Sequence, residues 1–193
     1  MTINIVIFAS GNGTNAENIV RHFAGSDTVK VAAMFTGNPR AGVIERMSRY
    51  GVPCRIFSRE QWNDPTDIVN ELHRLETRLI VLAGFLSVVK KEIIDAVGGN
   101  IINIHPSLLP RHGGKGMWGM HVHRAVLEAG DTESGITIHY VTEEIDGGAI
   151  LCQRRCPVMP GDTPESLAQR VHQLEYDALP GVIATLADTM QAS

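Results

Sequence analysis

Short apolar runs alternate with longer amphipathic stretches along the first half of the chain. The apolar runs are rich in Val and Ile, which is typical of strands that are buried on both faces of a sheet. The predicted strands are residues 3–9, 29–35, 54–57, 79–83 and 101–104. The predicted helices between them are residues 15–24, 41–50, 60–76 and 90–97. This alternation predicts an α/β fold with right-handed crossovers, in which an open, mostly parallel, Rossmann-like sheet carries helices on both faces.

The pattern changes after residue 130. Residues 135–141 and 149–158 have the composition of strands, and the acidic, glycine-containing segment 142–148 joins them. Two strands connected in this way favour a hairpin or another antiparallel arrangement. We therefore expect an antiparallel addition to the C-terminal side of the sheet.

A last helix is predicted to begin at Thr163, because threonine is a good N-cap and Pro164 suits the first turn. Its apolar positions recur at helical spacing at Leu167, Val171, Leu174 and Ala178. Pro180 should kink or end this helix. The chain contains no internal repeat, low-complexity tract or linker, so residues 1–193 are expected to form a single domain.

Composition and charge exclude several classes of protein. The 193 residues include 17 basic and 21 acidic side chains, which give a formal net charge of −4. Such a chain lacks the broad positive field of a general nucleic-acid-binding protein. No apolar run approaches the roughly 20 residues that span a bilayer, and the first residues predict a strand rather than a signal peptide. Cys54, Cys152 and Cys156 lack a disulfide or zinc spacing, which favours a cytoplasmic location.

A polar glycine loop, Ser-Gly-Asn-Gly-Thr-Asn at residues 10–15, joins the first predicted strand to the first predicted helix. Free N–H groups and the helix dipole favour an anion such as a terminal phosphate at this point. Gly11, Gly13 and Ala16 also fit a loose dinucleotide fingerprint, but the second strand lacks the carboxylate that holds the ribose. A third interpretation is a plain turn in which Thr14 or Asn15 caps the helix. We favour phosphate binding.

The second candidate site is the run Asn-Ile-His-Pro-Ser-Leu-Leu-Pro at residues 103–110. Asn103 and His105 lie two positions apart at the end of a strand, so their side chains emerge on the same face. Histidine can move protons near neutral pH, and an asparagine amide can donate to a developing oxyanion. A carboxylate commonly orients such a histidine and raises its pKa, and Asp146 is the candidate. The alternative is a buried structural histidine beside an asparagine turn.

Four segments in order along the chain resemble the phosphoribosylglycinamide formyltransferases of purine biosynthesis. They are residues 10–15, 82–85 (Leu-Ala-Gly-Phe), 103–110 and 145–148 (Ile-Asp-Gly-Gly). The run at 103–110 is specific to the wider superfamily that uses formyltetrahydrofolate. The loop at 10–15 narrows the choice to glycinamide ribonucleotide transfer or to the related formyltetrahydrofolate hydrolase. We expect the former, because the hydrolases carry an additional N-terminal domain.

The resemblance implies direct transfer of the formyl group of 10-formyltetrahydrofolate to the amine of glycinamide ribonucleotide, through a tetrahedral intermediate and without a metal. Asn103 and protonated His105 would stabilise the oxyanion, while Asp146 would keep His105 charged and relay protons. The phosphate and ribose of the substrate would contact Gly11, Asn12, Gly13, Thr14, Asn15, His172 and Glu175. The implied partners are these small molecules, and both a monomer and a homodimer are compatible with the sequence.

The resemblance also implies a folate site between two loops. Its residues would be Leu86, Ser87, Val88, Val89, Val141, Thr142, Glu143, Glu144 and Ile145. Apolar side chains would contact the pterin, and backbone groups of the loops would recognise the edge of its ring. Related enzymes often have arginine where this chain has Ser87, and that arginine is associated with the glutamate tail of the folate. Arg59 is the alternative cation for this tail, unless it is simply a solvated surface residue.

Three other interpretations stay open at the level of the sequence. Residues 113–120 form a long glycine-rich loop, which is either a lid over the site or a plain surface loop. The His-Val-His sequence at 121–123 suggests a metal, but no ligand partner stands at a suitable spacing, and the start of an amphipathic helix is favoured. A non-catalytic nucleotide-binding module would use the loop at 10–15 and would not need the Asn–His–Asp set.

Overall fold

The computed structural model describes residues 1–192, and strands alternate with helices from the start of the chain. The strands are β1 Ile3–Phe8, β2 Val29–Thr36, β3 Cys54–Ile56, β4 Thr77–Leu82, β5 Ile101–His105, β6 Glu133–Tyr140 and β7 Ile150–Pro157. The helices are α1 Thr14–His22, α2 Gly42–Ser48, α3 Arg59–Asn63, α4 Thr66–Arg74, α5 Lys91–Ala96, α6 Met120–Glu128 and α7 Pro164–Ala192. Within the described residues, all the strands belong to one sheet in the order β3-β2-β1-β4-β5-β6-β7.

The sheet is parallel from β3 through β5 and antiparallel at β6 and β7. Strand β1 pairs in parallel with β2 and with β4, and β4 pairs in parallel with β5. Strand β6 runs antiparallel to both β5 and β7. The predicted open α/β sheet with an antiparallel C-terminal addition is confirmed.

Strand β1 lies in the centre of the sheet and is buried on both faces. Ile5 and Ile7 belong to one apolar cluster, and Val6 and Phe8 belong to the other, because successive side chains of a strand point to opposite sides. Helices α1, α2 and α7 contribute to the first cluster, and α4 and α5 contribute to the second. Double burial of this kind explains why the strand sequences are continuously apolar rather than alternating.

The order of strands reverses at β1, since its two neighbours are β2 and β4. At such a point the loops that leave adjacent strands diverge and open a crevice beyond their carboxyl ends. The loops after β1 and β4 meet there: the N–H of Ser10 donates to the carbonyl of Gly84 at 3.0 Å. The N–H of Leu86 donates to Oγ of Ser10 at 3.2 Å.

The prediction of one helix over residues 60–76 is wrong, because two helices, α3 and α4, occupy this segment. Ser58 caps α3, and its side chain accepts a hydrogen bond from the N–H of Gln61. Asp64 then leaves the helical region with φ −115° and ψ 93°. Proline at position 65 accounts for the break, since a residue that precedes proline is disfavoured in the helical conformation.

Pro180 was predicted to kink or end its helix, and the second of these alternatives is wrong, because α7 continues through the proline. Leu179, Ile183 and Ala187 are fully buried on either side of the proline. Burial of this apolar face offsets the loss of one backbone hydrogen bond, since tertiary packing supplies most of the stability of a protein helix. None of the described helices, α7 included, combines the length and the apolarity that crossing a membrane requires.

Candidate active site

Asn103 and His105 lie at the carboxyl end of β5, next to the antiparallel strand β6. Their side chains are on the same face of the strand, as the period of two predicts. The register of the two strands places His139 opposite Asn103 and Thr137 opposite His105. The sheet itself therefore brings a second histidine to the predicted site.

His105 is buried, and each of its ring nitrogens faces an oxygen acceptor. Its Nε2–H donates to the backbone carbonyl of His112 at 2.8 Å. Its Nδ1 lies 3.6 Å from Oδ2 of Asp146, although the two residues are 41 positions apart in the sequence. The distant aspartate that the sequence suggested thus faces the imidazole.

His139 is a residue of this cluster that the sequence interpretation missed. Its Nδ1–H donates to the carbonyl of Tyr140 at 2.8 Å, which leaves Nε2 as an acceptor. This Nε2 accepts a hydrogen bond from Nδ2 of Asn103 at 3.2 Å and lies 3.6 Å from Oδ1 of Asp146. The contact fixes the amide of Asn103 and leaves its second N–H available for another acceptor. Only the antiparallel register could have revealed this histidine, because no spacing in the sequence links it to Asn103.

Asp146 is held by a backbone contact as well as by the histidines. Its φ of +56° is in the left-handed region, which aspartate tolerates better than most residues. The N–H of Gly114 donates to its Oδ2 at 2.8 Å, so the glycine-rich loop at 113–120 begins directly against this carboxylate. Its role as a lid stays a prediction.

The direction of the pKa shift of His105 corrects one expectation. Burial lowers the pKa of His105 below its ordinary value, even though Asp146 and the carbonyl of His112 act in the opposite direction. Asp146 thus acts in the expected direction, but burial outweighs it, so the net shift is opposite to the raised pKa that was expected. Burial also opposes ionisation of Asp146, but the positive charge that His139 and His105 carry when they are protonated and the hydrogen bond from the N–H of Gly114 outweigh it, so the pKa of Asp146 lies below its ordinary value.

The glycine loop ends in a conformation that only glycine fits. Gly13 precedes α1 with φ +75°, and a Cβ placed on it would lie 2.3 Å from Cγ2 of Val43. No side chain caps α1, so the interpretation of Thr14 or Asn15 as a helix cap is wrong. The first N–H groups of the helix and its positive dipole end therefore face the crevice without a capping oxygen.

Residues from the two ends of the chain meet beside this helix terminus. Oε2 of the buried Glu175 accepts hydrogen bonds from Nδ2 of Asn15 and Nδ1 of His172, both at 2.8 Å. The hydrogen bond to Glu175 raises the pKa of His172 above its ordinary value. Two buried polar atoms nearby, Oδ1 of Asn15 and Nδ1 of His123, have no hydrogen-bond partner within the described residues. Gly11 and Asn12 are exposed at the rim of the same corner.

The two segments predicted to hold a folate lie side by side. Val89 is buried in the apolar cluster against which Val141 packs. Leu86, Val88 and Ile145 expose much of their side chains to solvent. Ser87, Thr142, Glu143 and Glu144 complete these two loops at the surface of the protein.

A cavity of about 560 Å³ opens between the first of these segments and α3. It is lined by Arg59, Ser87 and Val88, which the sequence analysis named separately as candidates for folate binding. It also includes Lys90 and Trp62, which the sequence interpretation missed. Neither Arg59 nor Lys90 forms an ion pair with any residue in the described range, and Nε1 of Trp62 is buried without a hydrogen-bond partner. The other residues that line the cavity are Ser10, Gly37, Asn38 and Asn63.

Comparison with known proteins assigns the chain to a family. A sequence model of the formyl transferases matches residues 3–183, a range that contains every residue of the site described above. The chain belongs to the formyl transferase family. The family assignment agrees with the resemblance that was noted in the four sequence segments.

Relatives within the family are named as phosphoribosylglycinamide formyltransferases. The Escherichia coli (strain K12) protein is 34% identical over 194 residues, which cover 96% of this chain and 88% of that protein. The chloroplastic protein of Vigna unguiculata is 38% identical over 191 residues, but this chain spans only 61% of its length. The crystal structure of glycinamide ribonucleotide transformylase 1 from Geobacillus kaustophilus superposes with a TM-score of 0.88 at 35% identity and covers 97% of this chain and all of its own.

The histidine pair at 121–123 belongs to helix α6, as the amphipathic interpretation predicts. Val122, His123 and Val126 are buried, whereas His121 is exposed and packs edge-on against Trp118. No group of three or more His, Cys, Asp or Glu residues within residues 1–192 has the arrangement of a metal site.

Proposed function

We propose that this chain transfers the formyl group of 10-formyltetrahydrofolate to the amine of glycinamide ribonucleotide. The observation that carries the proposal is the cluster in which His105 and His139 both face Asp146 and Asn103 contacts His139. A non-catalytic nucleotide-binding module would have no use for this cluster. The names of the relatives, and the family to which the chain belongs, support the same reaction.

The phosphate of the ribonucleotide is assigned to the open N-terminus of α1. The backbone N–H groups of the loop and first turn point toward the crevice, and the positive end of the helix dipole adds attraction for a dianion. The residues concerned are Gly11, Asn12, Gly13, Thr14 and Asn15. The ribose hydroxyls are assigned to Glu175 and His172, since a buried carboxylate is a strong acceptor for hydroxyl donors.

The folate is assigned to the two loops that contain Val89 and Val141. The exposed apolar side chains of Leu86, Val88 and Ile145 would cover the pterin, and backbone groups of residues 141–145 would recognise its polar edge. The cavity beside α3 would take the glutamate tail, whose carboxylates suit the unpaired cations Arg59 and Lys90. Lys90 thereby supplies a positive charge that Ser87 does not provide.

The chemistry follows from the side chains around the formyl carbon. The amine attacks this carbon and gives a tetrahedral intermediate, and the free N–H of Asn103 and a proton on Nδ1 of His105 stabilise its oxyanion. The bond from the formyl carbon to N10 of the folate then breaks, and the proton lost by the amine passes to N10 through Asp146 and water. Because burial lowers the pKa of His105, the protonated ring is a stronger acid than an imidazolium in water and a stronger hydrogen-bond donor to the oxyanion.

Steady-state kinetics with both substrates tests the proposal. We expect turnover that nearly disappears in His105→Ala and in Asp146→Asn, while binding of the ribonucleotide, measured by calorimetry, persists in both variants. Normal turnover in both variants would contradict the assigned roles. Release of formate at a comparable rate without the amine would instead identify a hydrolase.

The small-molecule substrates and the three free cysteines agree with a reducing, cytoplasmic compartment.

A further inference from the structure

The backbone of His112 has an unfavourable conformation that affects the position of its carbonyl group. Its φ of +53° is in the left-handed region, which a residue with a Cβ adopts only when its surroundings enforce it. This conformation directs the carbonyl of His112 toward Nε2 of His105 at 2.8 Å. The hydrogen bond between Nε2 of His105 and this carbonyl therefore depends on the contacts that keep His112 in the left-handed conformation.

The side chain of His112 is fastened to Asp131, which lies between α6 and β6. Nε2 of His112 donates to Oδ2 of Asp131 at 2.7 Å, and Arg111 pairs with Oδ1 of the same carboxylate. The carboxyl group is 6% exposed, so water competes little for these hydrogen bonds. Oγ of Ser107 restrains the same turn by donating to the carbonyl of Arg111 at 2.6 Å.

We propose that Asp131 is a positioning residue, which orients His105 by holding the side chain, and hence the backbone carbonyl, of His112. The inference rests on the proposed catalytic role of His105. No substrate needs to touch Asp131, since it acts through one side chain and one peptide group.

The hydrogen bond from Nε2 fixes both the tautomer and the orientation of His105. With Nε2 protonated and bound to the carbonyl, Nδ1 is the nitrogen that faces Asp146 and exchanges protons with the reacting atoms. Without Asp131 the turn at His112 is free to relax to negative φ, and its carbonyl would swing away from the ring. The ring could then rotate, and the proton on Nδ1 would no longer be aimed at the oxyanion.

Nuclear magnetic resonance of nitrogen-labelled histidine tests the contact without any substrate. The charged and titratable groups that face His105 are Asp146, His139, Glu175 and His123, and none of them is altered in Asp131→Ala or His112→Ala. We expect both variants to lose the slowly exchanging Nε2–H signal of His105. We also expect its pKa to fall further, because the carbonyl of His112 favours the protonated ring.

Formyl-transfer kinetics supply the second readout. Both variants should lose roughly 10- to 100-fold in kcat with little change in either KM, because substrate contacts remain while a reacting group is misplaced. The double variant should be no worse than the more damaged single variant. His112→Asn should recover part of the loss, since asparagine tolerates the left-handed backbone. Glu133→Gln, which breaks the neighbouring exposed pair with Arg155, serves as the control and should behave like wild type.

Unchanged titration of His105 in His112→Ala would overturn the proposal, and so would normal kcat in both single variants. If Asp131→Ala does not fold, the His112→Ala titration decides alone, because in that variant the carboxylate of Asp131 keeps its ion pair with Arg111. A wild-type protein that transfers no formyl group would overturn the proposed function only, and the titration would still decide the role of Asp131.

Discussion

Asn15 and Glu175 are separated by 160 positions, yet Nδ2 of the first donates to Oε2 of the second at 2.8 Å. One residue belongs to the first turn of α1 and the other to the middle of α7. Their contact joins the proposed phosphate site to the proposed ribose site. It also places a buried carboxylate, itself bound by His172, directly beside the positive end of a helix.

Replacement of Glu175 by Ala should therefore weaken binding of the ribonucleotide. A hydrogen bond to a charged group contributes about 1.5–3 kcal/mol, so we expect the KM for the ribonucleotide to rise about 10- to 100-fold. The KM for the folate should stay near its wild-type value. Gln173→Ala, on the exposed side of the same helix, is the control. An unchanged KM for the ribonucleotide in Glu175→Ala would remove this residue from the site.

Two histidines should influence stability with opposite dependence on pH. The pKa of His105 is lowered in the fold, so the unfolded chain binds more protons and stability declines as the pH falls below about 6.5. The pKa of His172 is raised, so its stabilising contribution is present at low pH and is lost as the pH rises through that raised value.

Urea unfolding of His105→Asn and His172→Asn between pH 5 and 8 measures this difference. His105→Asn should lose less stability than wild type when the pH is lowered. His172→Asn should be less stable than wild type at low pH, and this difference should disappear as the pH rises. Parallel stability curves for all three proteins would contradict both shifts.

Gly13→Ala should destabilise the fold by about 2–4 kcal/mol, because the new methyl group meets Val43 in a backbone conformation that suits only glycine. The midpoint of urea unfolding measures the loss. Gly11→Ala is the matched stability control, since nothing lies within 4 Å of a Cβ at that position. Equal midpoints for the two variants would mean that the turn relaxes without cost.

Arg59→Ala and Lys90→Ala should weaken binding of a folate with several glutamates more than binding of one with a single glutamate. Partly exposed ion pairs contribute about 0.2–1 kcal/mol, so each change should raise KM by about 2- to 5-fold at low salt and less at high salt. Lys91→Ala provides the control, because Lys91 pairs with Asp95 and does not line the cavity. Equal effects on both folates would place the tail elsewhere.

The sheet could be predicted from the sequence because its strands are buried on both faces. In the run Ile3–Phe8 every residue except Asn4 is apolar, and the alternation with helices then favours parallel pairing. The shared face of Asn103 and His105 followed from strand geometry alone. These inferences needed only local information.

Other features depend on contacts between distant segments and could not be predicted. His139 joins the site through the register of β6 on β5, and Lys90 lines the same cavity as Arg59 because the segment before α5 lies beside α3. Helix α7 continues past Pro180 because its apolar face is buried by tertiary packing, which intrinsic helix propensities do not take into account. The sign of the His105 shift was wrong at the sequence level, because the depth of burial outweighs a carboxylate that the sequence did suggest.

Helix α7 completes the same layer of the sheet that α1 begins, and it follows all of the described strands in the sequence. During synthesis on the ribosome, part of the apolar side of β1 therefore stays uncovered until α7 has emerged. The nascent protein should depend on chaperones until that point. It should gain affinity for its ligands and resistance to proteases at the same time, when α7 docks against the sheet.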